Sequence, residues 1–164
     1  FAKGNFPTPS GKCEFFSQRL ADRGLDGLPD HVPNHEAANT SATYPLAMIS
    51  PPARNFLNSS FVNVNSLQAM ENEPLLEMHA SDASARGIAQ GDMVRVFNAR
   101  GEYRCRVNVG TRARPGVVNG LGVWWRKLGP GGTNVNQLTS QRLTDLGAAP
   151  TFYDCLVQVQ PVAA

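Results

Sequence analysis

The chain has 164 residues, of which 41% are hydrophobic and 17% charged, so it is long enough and apolar enough to fold around one core. Its formal net charge of +2 lacks the basic excess of a nucleic-acid-binding protein, and no apolar run approaches the roughly 18 residues of a membrane span. We therefore expect no nucleic-acid binding and no membrane insertion. The 15 glycines and 12 prolines indicate many turns and argue against a helical bundle.

Residues 1–43 lack the periodic pattern of the rest of the chain. Four prolines interrupt them, and the one helix that they predict runs from about Glu14 to Asp22, with Gly24 ending it. Such a segment cannot bury an apolar face by itself. We interpret residues 1–43 as an irregular connector arm that lies over a neighbouring surface.

Residues 44–164 have the pattern of a compact β domain. Apolar or alternating runs predict short strands near 45–50, 75–79, 93–97, 102–109, 117–125 and 155–159. The turn residues 98–101 join two of these runs into a hairpin. One short helix is predicted at 82–87, with Asp82 as its N-cap and Gly87 just past its end. Six or so short strands joined by glycine-rich corners indicate a mainly β fold closed into a small barrel.

No group of side chains predicts catalysis or metal binding. His31 and His35 are separated by Pro33, which prevents the helix that a zinc-binding pair would need, so we expect exposed loop histidines. Glu71 and Glu73 have no partner base and are interpreted as part of a solvated turn. The three cysteines are far apart and odd in number, which argues against a disulfide framework or a zinc pattern and favours a reducing compartment.

Two loops instead concentrate neutral donors and acceptors. The first, residues 50–60, carries Arg54 and several asparagines and serines, and the second, residues 133–139, is rich in Asn, Gln and Thr. Carboxamides match the mixed edge of a heterocycle, and a guanidinium binds phosphate. The simpler alternative is that these side chains only cap turns.

Nearly the whole chain resembles the C-terminal dinucleotide-binding domain of molybdopterin oxidoreductases, the dimethyl sulfoxide reductase superfamily. An upstream stretch, residues 8–16, resembles the serine–glycine–lysine connector that precedes this domain. The matching segments in the domain itself are 45–51, 58–60, 73–74, 79–83, 86–96, 98–101, 114–118 and 134–139. The chain departs from many relatives at residues 55–57, Asn-Phe-Leu, where His or Trp is common.

The resemblance implies a six-stranded double-psi β-barrel with a few short helices, spanning residues 44–164. It implies that this barrel covers and orients a molybdopterin guanine dinucleotide, with molybdenum or tungsten held by the cofactor's own sulfurs. The preceding catalytic domains of the same polypeptide would carry the metal's protein ligand and any iron–sulfur cluster. The resemblance further implies that this chain alone has no catalytic residue and no metal ligand, although it would be part of an oxidoreductase.

The resemblance also implies a set of cofactor-binding residues. The first loop matches the pterin-contacting loop of the family, Asn136 matches a polar side chain that meets the pterin, and residues 152 and 153 match a late cofactor-facing pair. The predicted positions are Ser50, Pro51, Arg54, Asn58, Ser59, Ser60, Asn136, Phe152 and Tyr153.

A second interpretation stays open: a double-psi barrel that serves as an interaction module and binds a protein or peptide. The first interpretation implies the preceding domains as partners, and an electron-transfer subunit could join them. We expect a cytoplasmic enzyme, or a periplasmic one if a twin-arginine signal precedes the chain.

Overall fold

The computed structural model describes residues 2–36, 38 and 42–162, and the chain divides into two compact units, one up to Pro33 and one from Asn34 onward. In the first unit, helix α1 spans Gln18–Ala21 and is shorter than the predicted helix, since it buries no residue that could stabilise further turns. Gly24 follows it with a φ of +75°, as its predicted terminating role requires. The predicted boundary between arm and barrel at residues 43 and 44 stays a prediction.

Six strands close a barrel in the order β1–β5–β2–β4–β3–β6. This confirms the predicted fold class, a mainly β six-stranded barrel with a few short helices. Two strand pairs, β1–β5 and β2–β4, are parallel, and the other four pairs are antiparallel. The strands span Leu46–Ile49 (β1), Leu75–His79 (β2), Met93–Phe97 (β3), Glu102–Gly110 (β4), Val117–Leu121 (β5) and Leu156–Pro161 (β6).

The barrel interior is filled by the side chains that alternate along the strands. On β4, Tyr103, Cys105 and Val107 are buried while Arg104 and Arg106 are exposed, as the sequence pattern predicts. Each fully buried aliphatic side chain contributes about 1.5–3 kcal/mol. The barrel therefore has a continuous apolar core. Other fully buried members include Leu46, Met48, Leu76, Met78, Val94, Val96, Val118, Leu138, Val157 and Val159.

Helix α3 spans Ala80–Ser84 and begins two residues before the predicted helix. The predicted N-cap was wrong: the imidazole of His79 caps the helix, and the Asp82 carboxylate instead accepts a 2.7 Å hydrogen bond from the amide of Gly116. A histidine cap gives a weaker sequence signal than Asp, because Asp is among the preferred N-cap residues. Gly87 follows with a φ of +64°, the left-handed conformation predicted for it.

A further helix, α2, spans Asn65–Glu71 and had no signal in the sequence. Its N-cap residue, Val64, makes no side-chain cap hydrogen bond, and none of its residues is buried. In the described ranges, no helix has both the length and the apolar character needed to cross a bilayer.

The strand directions bring the long connections together at one end of the barrel. β1, β3 and β5 end there, and β2, β4 and β6 begin there, because the odd-numbered strands all run one way and the even-numbered strands the other. We call this the long-loop end; it consists of residues 50–74, 98–101 and 122–155. The opposite end carries residues 80–92 and 111–116.

Candidate functional site

The first polar loop, residues 50–60, is hydrogen-bonded near both of its ends to the segment that follows β5. The amide of Gly122 donates to the carbonyl oxygen of Pro51 at 2.8 Å, and the indole N–H of Trp125 donates to that of Ser59 at 2.8 Å. Gly122 has a φ of +72°, and a Cβ there would lie 3.0 Å from a side chain of the loop. This close approach therefore requires glycine.

Two side chains of this loop turn inward and hold it. The main-chain N–H and the side-chain Nδ2 of Asn55 both donate to Oε1 of Glu71, at 2.6 and 2.8 Å. Phe56 is 5% exposed and packs edge-on against Trp124, with 5.1 Å between ring centroids. The interpretation of Glu71 as part of a solvated turn was wrong, because Glu71 is the last residue of helix α2 and its carboxylate makes a part-buried contact with Asn55.

The remaining polar side chains of the loop point outward. Asn58 has a φ of +53° in the tight turn between Leu57 and Ser60, a conformation that asparagine tolerates better than most residues. Within the described residues, the exposed side chains of four predicted site residues form no intramolecular hydrogen bond: Arg54, Asn58, Ser59 and Ser60. Ser50 and Pro51 lie half-buried at the base of the loop. The loop thus presents one cation, an amide and hydroxyls.

The second polar loop is attached to the same segment. Nδ2 of Asn134 donates to the carbonyl oxygen of Trp124 at 2.8 Å, and Oδ1 of Asn134 accepts from the amide of Asn136 at 3.1 Å. The carboxamide of Asn136 is exposed and makes no intramolecular bond in the part of the chain that the structure describes. It lines a cavity of about 560 Å³ together with Arg100, Gly101, Glu102, Gln137, Thr139 and Gln141.

Phe152 and Tyr153 lie just before β6, also at the long-loop end. Their rings pack against each other with 4.4 Å between centroids, and they are 39% and 52% exposed. All nine predicted site residues therefore lie at the same end of the barrel. Their assignment to cofactor binding stays a prediction.

A cluster of charged side chains at the long-loop end was not predicted from the sequence. Nδ1 of His35 lies 2.7 Å from the Asp154 carboxylate, so the expectation of an exposed loop histidine was wrong for His35, whereas His31 is exposed. The Glu36 carboxylate binds both terminal nitrogens of the Arg100 guanidinium, at 2.5 and 3.1 Å. Burial alone would lower the pKa of Arg100, but the hydrogen bond and negative charge of Glu36, together with a smaller effect of Cys155, leave that pKa raised.

This cluster borders a second cavity, of about 480 Å³. Glu36 also accepts a 2.8 Å hydrogen bond from the amide of Leu156, and so joins the turn of the β3–β4 hairpin to the start of β6. The two partners of Glu36 are 64 and 120 residues away in the chain. Local patterns carry no signal for such contacts. The cavity is lined by His35, Glu36, Tyr44, Asn98, Ala99, Arg100, Ser140, Arg142 and Leu156.

Residues 46–156 match the family model described as "Molydopterin dinucleotide binding domain". The match covers most of the barrel, including the first and second polar loops. The chain belongs to this family of cofactor-binding domains. The resemblance proposed from the sequence is therefore confirmed, as are the role of a cofactor-binding domain and a molybdopterin dinucleotide as the class of cofactor.

Individual proteins extend the comparison. The probable oxidoreductase YoaE of Bacillus subtilis is 37% identical over 159 residues, which cover 97% of this chain and 23% of that protein. Dimethyl sulfoxide reductase DmsA of Escherichia coli is 35% identical over 172 residues, which cover 94% of this chain and 21% of that protein. The chain thus spans about a fifth of the length of these curated relatives.

A solved structure shares the fold. Acetylene hydratase from Pelobacter acetylenicus superposes with a TM-score of 0.76 over 94% of this chain and 24% of its own, at 18% sequence identity. At that identity the likeness concerns the fold alone.

The side chains at the long-loop end fit the chemistry of a molybdopterin dinucleotide. The pterin presents alternating donors and acceptors, which the carboxamides of Asn58 and Asn136 and the serine hydroxyls can match. The pyrophosphate needs a cation or several N–H donors, and the guanidinium of Arg54 is exposed, with no partner among the described residues. Residues 50–60 and 133–139 contain no Asp or Glu, so the carboxylates beside these loops come from other segments: Glu71, which is bonded to Asn55, and Glu102, which lines the cavity beside Asn136.

Proposed function

We propose that this chain covers and orients a molybdopterin guanine dinucleotide within a longer molybdenum or tungsten oxidoreductase. The observation that carries this proposal is that both polar loops are bonded to the same segment, residues 122–125, at one end of the barrel. Two loops that are far apart in the sequence are thereby held next to the same segment of the chain. An elongated ligand with a heterocycle and a phosphate bridge matches the polar groups that the two loops present together.

Each outward side chain has a defined task in this proposal. Arg54 binds phosphate oxygens through its exposed guanidinium, which has no partner among the described residues. The amides and hydroxyls of Asn58, Ser59, Ser60 and Asn136 select the edges of the heterocycle by pairing each donor with an acceptor. The exposed rings of Phe152 and Tyr153 cover an apolar face of the ligand and exclude water from it. Ser50 and Pro51 set the direction in which the loop leaves β1.

When bound, the cofactor supplies the metal and the redox chemistry, and the protein supplies binding and orientation. The buried contacts beneath the loops, above all Phe56 on Trp124, fix the loops before the ligand arrives. A preformed site loses less conformational entropy on binding than a flexible one. The rigid barrel would therefore hold the bound cofactor, which carries the reacting group, in a fixed position.

The partners follow from the same proposal. The relatives are about four to five times as long as this chain, which supports preceding catalytic domains in the same polypeptide. Those domains would carry the metal's protein ligand, and an iron–sulfur cluster and an electron-transfer subunit fit such an enzyme. We propose a cytoplasmic location, or a periplasmic one if a twin-arginine signal precedes the chain.

The test is a titration of the full encoded protein, prepared without cofactor, with released molybdopterin guanine dinucleotide. Arg54→Ala and Asn136→Ala should each weaken binding about tenfold, the effect of losing one charged or well-placed hydrogen bond. Arg114→Ala is the matched control, because Arg114 is an exposed arginine at the opposite end of the barrel. Its affinity should equal that of the wild type.

Equal affinity for all three variants would count against the site, and failure of the wild type to bind would count against the function. In that second case the interaction-module alternative predicts capture of a peptide or protein without any pterin.

A further inference from the structure

We infer that Glu71 is a positioning residue that holds the first polar loop, residues 50–60, in its ligand-binding conformation before any ligand arrives. This inference rests on the proposed function of that loop. Glu71 lies in α2, outside both polar loops, and its carboxylate is bonded back to Asn55. Its part in the site would be indirect.

The hydrogen bonds themselves are the first evidence. A single oxygen, Oε1 of Glu71, accepts from both the main-chain and the side-chain nitrogen of Asn55, at 2.6 and 2.8 Å. The two donors come from one residue, so the carboxylate fixes the main chain of Asn55 as well as its side chain. Bonds to an ionised acceptor are about twice as strong as neutral ones. The residue so fixed directly follows Arg54, which the proposed function assigns to the phosphates.

The position of Glu71 in its helix is the second evidence. It is the last residue of α2, where the helix dipole disfavours a negative charge, and the last turn carries no basic residue to compensate. The next residue, Asn72, has a φ of +65°, which is unusual for a residue other than glycine. A carboxylate at this point therefore opposes the local preference of the helix. The contact with Asn55 supplies the compensation that α2 itself lacks.

The other restraints of the loop leave a gap that Glu71 fills. Pro51 and Ser59 are bonded to the segment after β5, and Phe56 packs into the core beneath. Between Pro51 and Phe56, buried Ala53 packs closely against Gly122, and among the described hydrogen bonds only those from Asn55 to Glu71 tie this stretch to a residue outside the loop. Arg54 is exposed and lies inside this stretch. Without Glu71, its guanidinium would sample a wider range of positions.

The experiment uses the full encoded protein with Glu71→Ala, Glu71→Gln and Glu73→Ala. Gln keeps one carbonyl oxygen that can accept both bonds, so it separates geometry from charge. Glu73→Ala is the matched control: it removes a carboxylate two residues away that pairs with Arg106, at 3.2 Å, and not with the loop. Asn55→Ala serves as a second route to the same loss if Glu71→Ala does not fold.

Two measurements are made on each variant. Amide hydrogen exchange of the cofactor-free protein should become about tenfold faster in residues 53–60 of Glu71→Ala, rise by a smaller factor in Glu71→Gln, and stay near wild type in Glu73→Ala. Affinity for molybdopterin guanine dinucleotide should fall about tenfold in Glu71→Ala and less than threefold in Glu71→Gln. In an Arg54→Ala background, Glu71→Ala should cost much less affinity, because the group that it positions is gone.

Unchanged loop exchange and unchanged affinity in Glu71→Ala would overturn the inference while leaving the proposed function intact. The same holds for Asn55→Ala if that variant is the one that folds. An equal loss of affinity in the wild-type and Arg54→Ala backgrounds would also overturn it, since the effect would then not pass through Arg54. Failure of the wild type to bind the cofactor would instead reject the proposed function.

Discussion

The indole nitrogen of Trp125 donates a 2.8 Å hydrogen bond to the carbonyl oxygen of Ser59, while the carbonyl oxygen of the adjacent Trp124 accepts one from the side chain of Asn134. Two consecutive tryptophans therefore join two loops that lie far apart in the sequence. Both bonds use the segment that leaves β5. A change in this segment should reach both halves of the proposed binding surface at once.

Phe56→Ala should lower the free energy of unfolding of the barrel by about 3 kcal/mol, because a 5% exposed ring that packs on Trp124 would leave a cavity. Chemical denaturation monitored by tryptophan fluorescence measures the change. Phe56→Leu is the control and should lose less than about 1.5 kcal/mol, since it retains most of the buried volume. Equal stability of Phe56→Ala and the wild type would show that this contact does not support the loop.

Gly122→Ala should be more destabilising than Gly131→Ala, although both glycines have a positive φ, of +72° and +67°. Each substitution costs about 1–2 kcal/mol for the left-handed backbone. At Gly122 the new Cβ would also lie 3.0 Å from the Cβ of Ala53, whereas at Gly131 nothing lies within 4 Å. Thermal unfolding of the two variants gives the difference directly. A larger loss for Gly131→Ala would contradict the close approach of loop and segment.

The buried thiols should make the barrel less stable as pH rises above 9. Burial raises the pKa of Cys105 to about 12 and that of Cys155 to about 11, from an ordinary value of 9.0. The unfolded chain then loses its thiol protons at a lower pH than the folded chain. The contribution of each buried thiol to the free energy of unfolding is fully present below pH 9. Above pH 9 it falls by about 1.4 kcal/mol per pH unit until the pH reaches the pKa of that thiol in the folded chain.

Cys155→Ala isolates one of these contributions. The stability of the wild type relative to Cys155→Ala should decrease between pH 9 and pH 11 and be constant below pH 8. A difference that stays flat across the alkaline range would mean that the Cys155 thiol is not held neutral by burial. Iodoacetamide at pH 8 gives an independent measure: it should label the exposed Cys13 well before Cys105 or Cys155.

Glu36→Gln should destabilise the contact between the β3–β4 turn and β6. The carboxylate serves the Arg100 guanidinium and the Leu156 amide together, so the neutral side chain leaves one partly buried charge without its counter-ion. We expect a loss of about 2 kcal/mol, measured by chemical denaturation. Arg95→Gln, which breaks the more exposed pair with Glu102, is the control and should cost less than about 1 kcal/mol. Equal effects of the two variants would contradict a special role for Glu36.

Patterns that are local in sequence predicted the fold well. The hairpin of β3 and β4 is visible because its apolar positions alternate and its turn residues are distinctive. Gly87 could be placed because it must take a positive φ after a helix. The cap of α3 could not be placed, because Asp82 is a strong capping residue that here binds Gly116 instead.

Contacts between distant segments could not be predicted. The contact between Glu71 and Asn55 depends on the path of the chain through α2. The contact between Glu36 and Arg100 depends on the closed barrel. A single carboxylate has no periodic sequence pattern from which its distant partner could be identified. The composition of the two polar loops was compatible both with a binding site and with side chains that only cap turns. The predicted site residues were therefore located through the family resemblance and not from composition.

The central claim is that the long-loop end of the barrel binds the cofactor. Its most direct test is amide hydrogen exchange of the full encoded protein with and without molybdopterin guanine dinucleotide, compared between the two ends of the barrel. The account predicts that the cofactor slows exchange in residues 50–60 and 133–139 and leaves residues 80–92 and 111–116 unchanged. Slower exchange at the opposite end, with no change in the two polar loops, would contradict it.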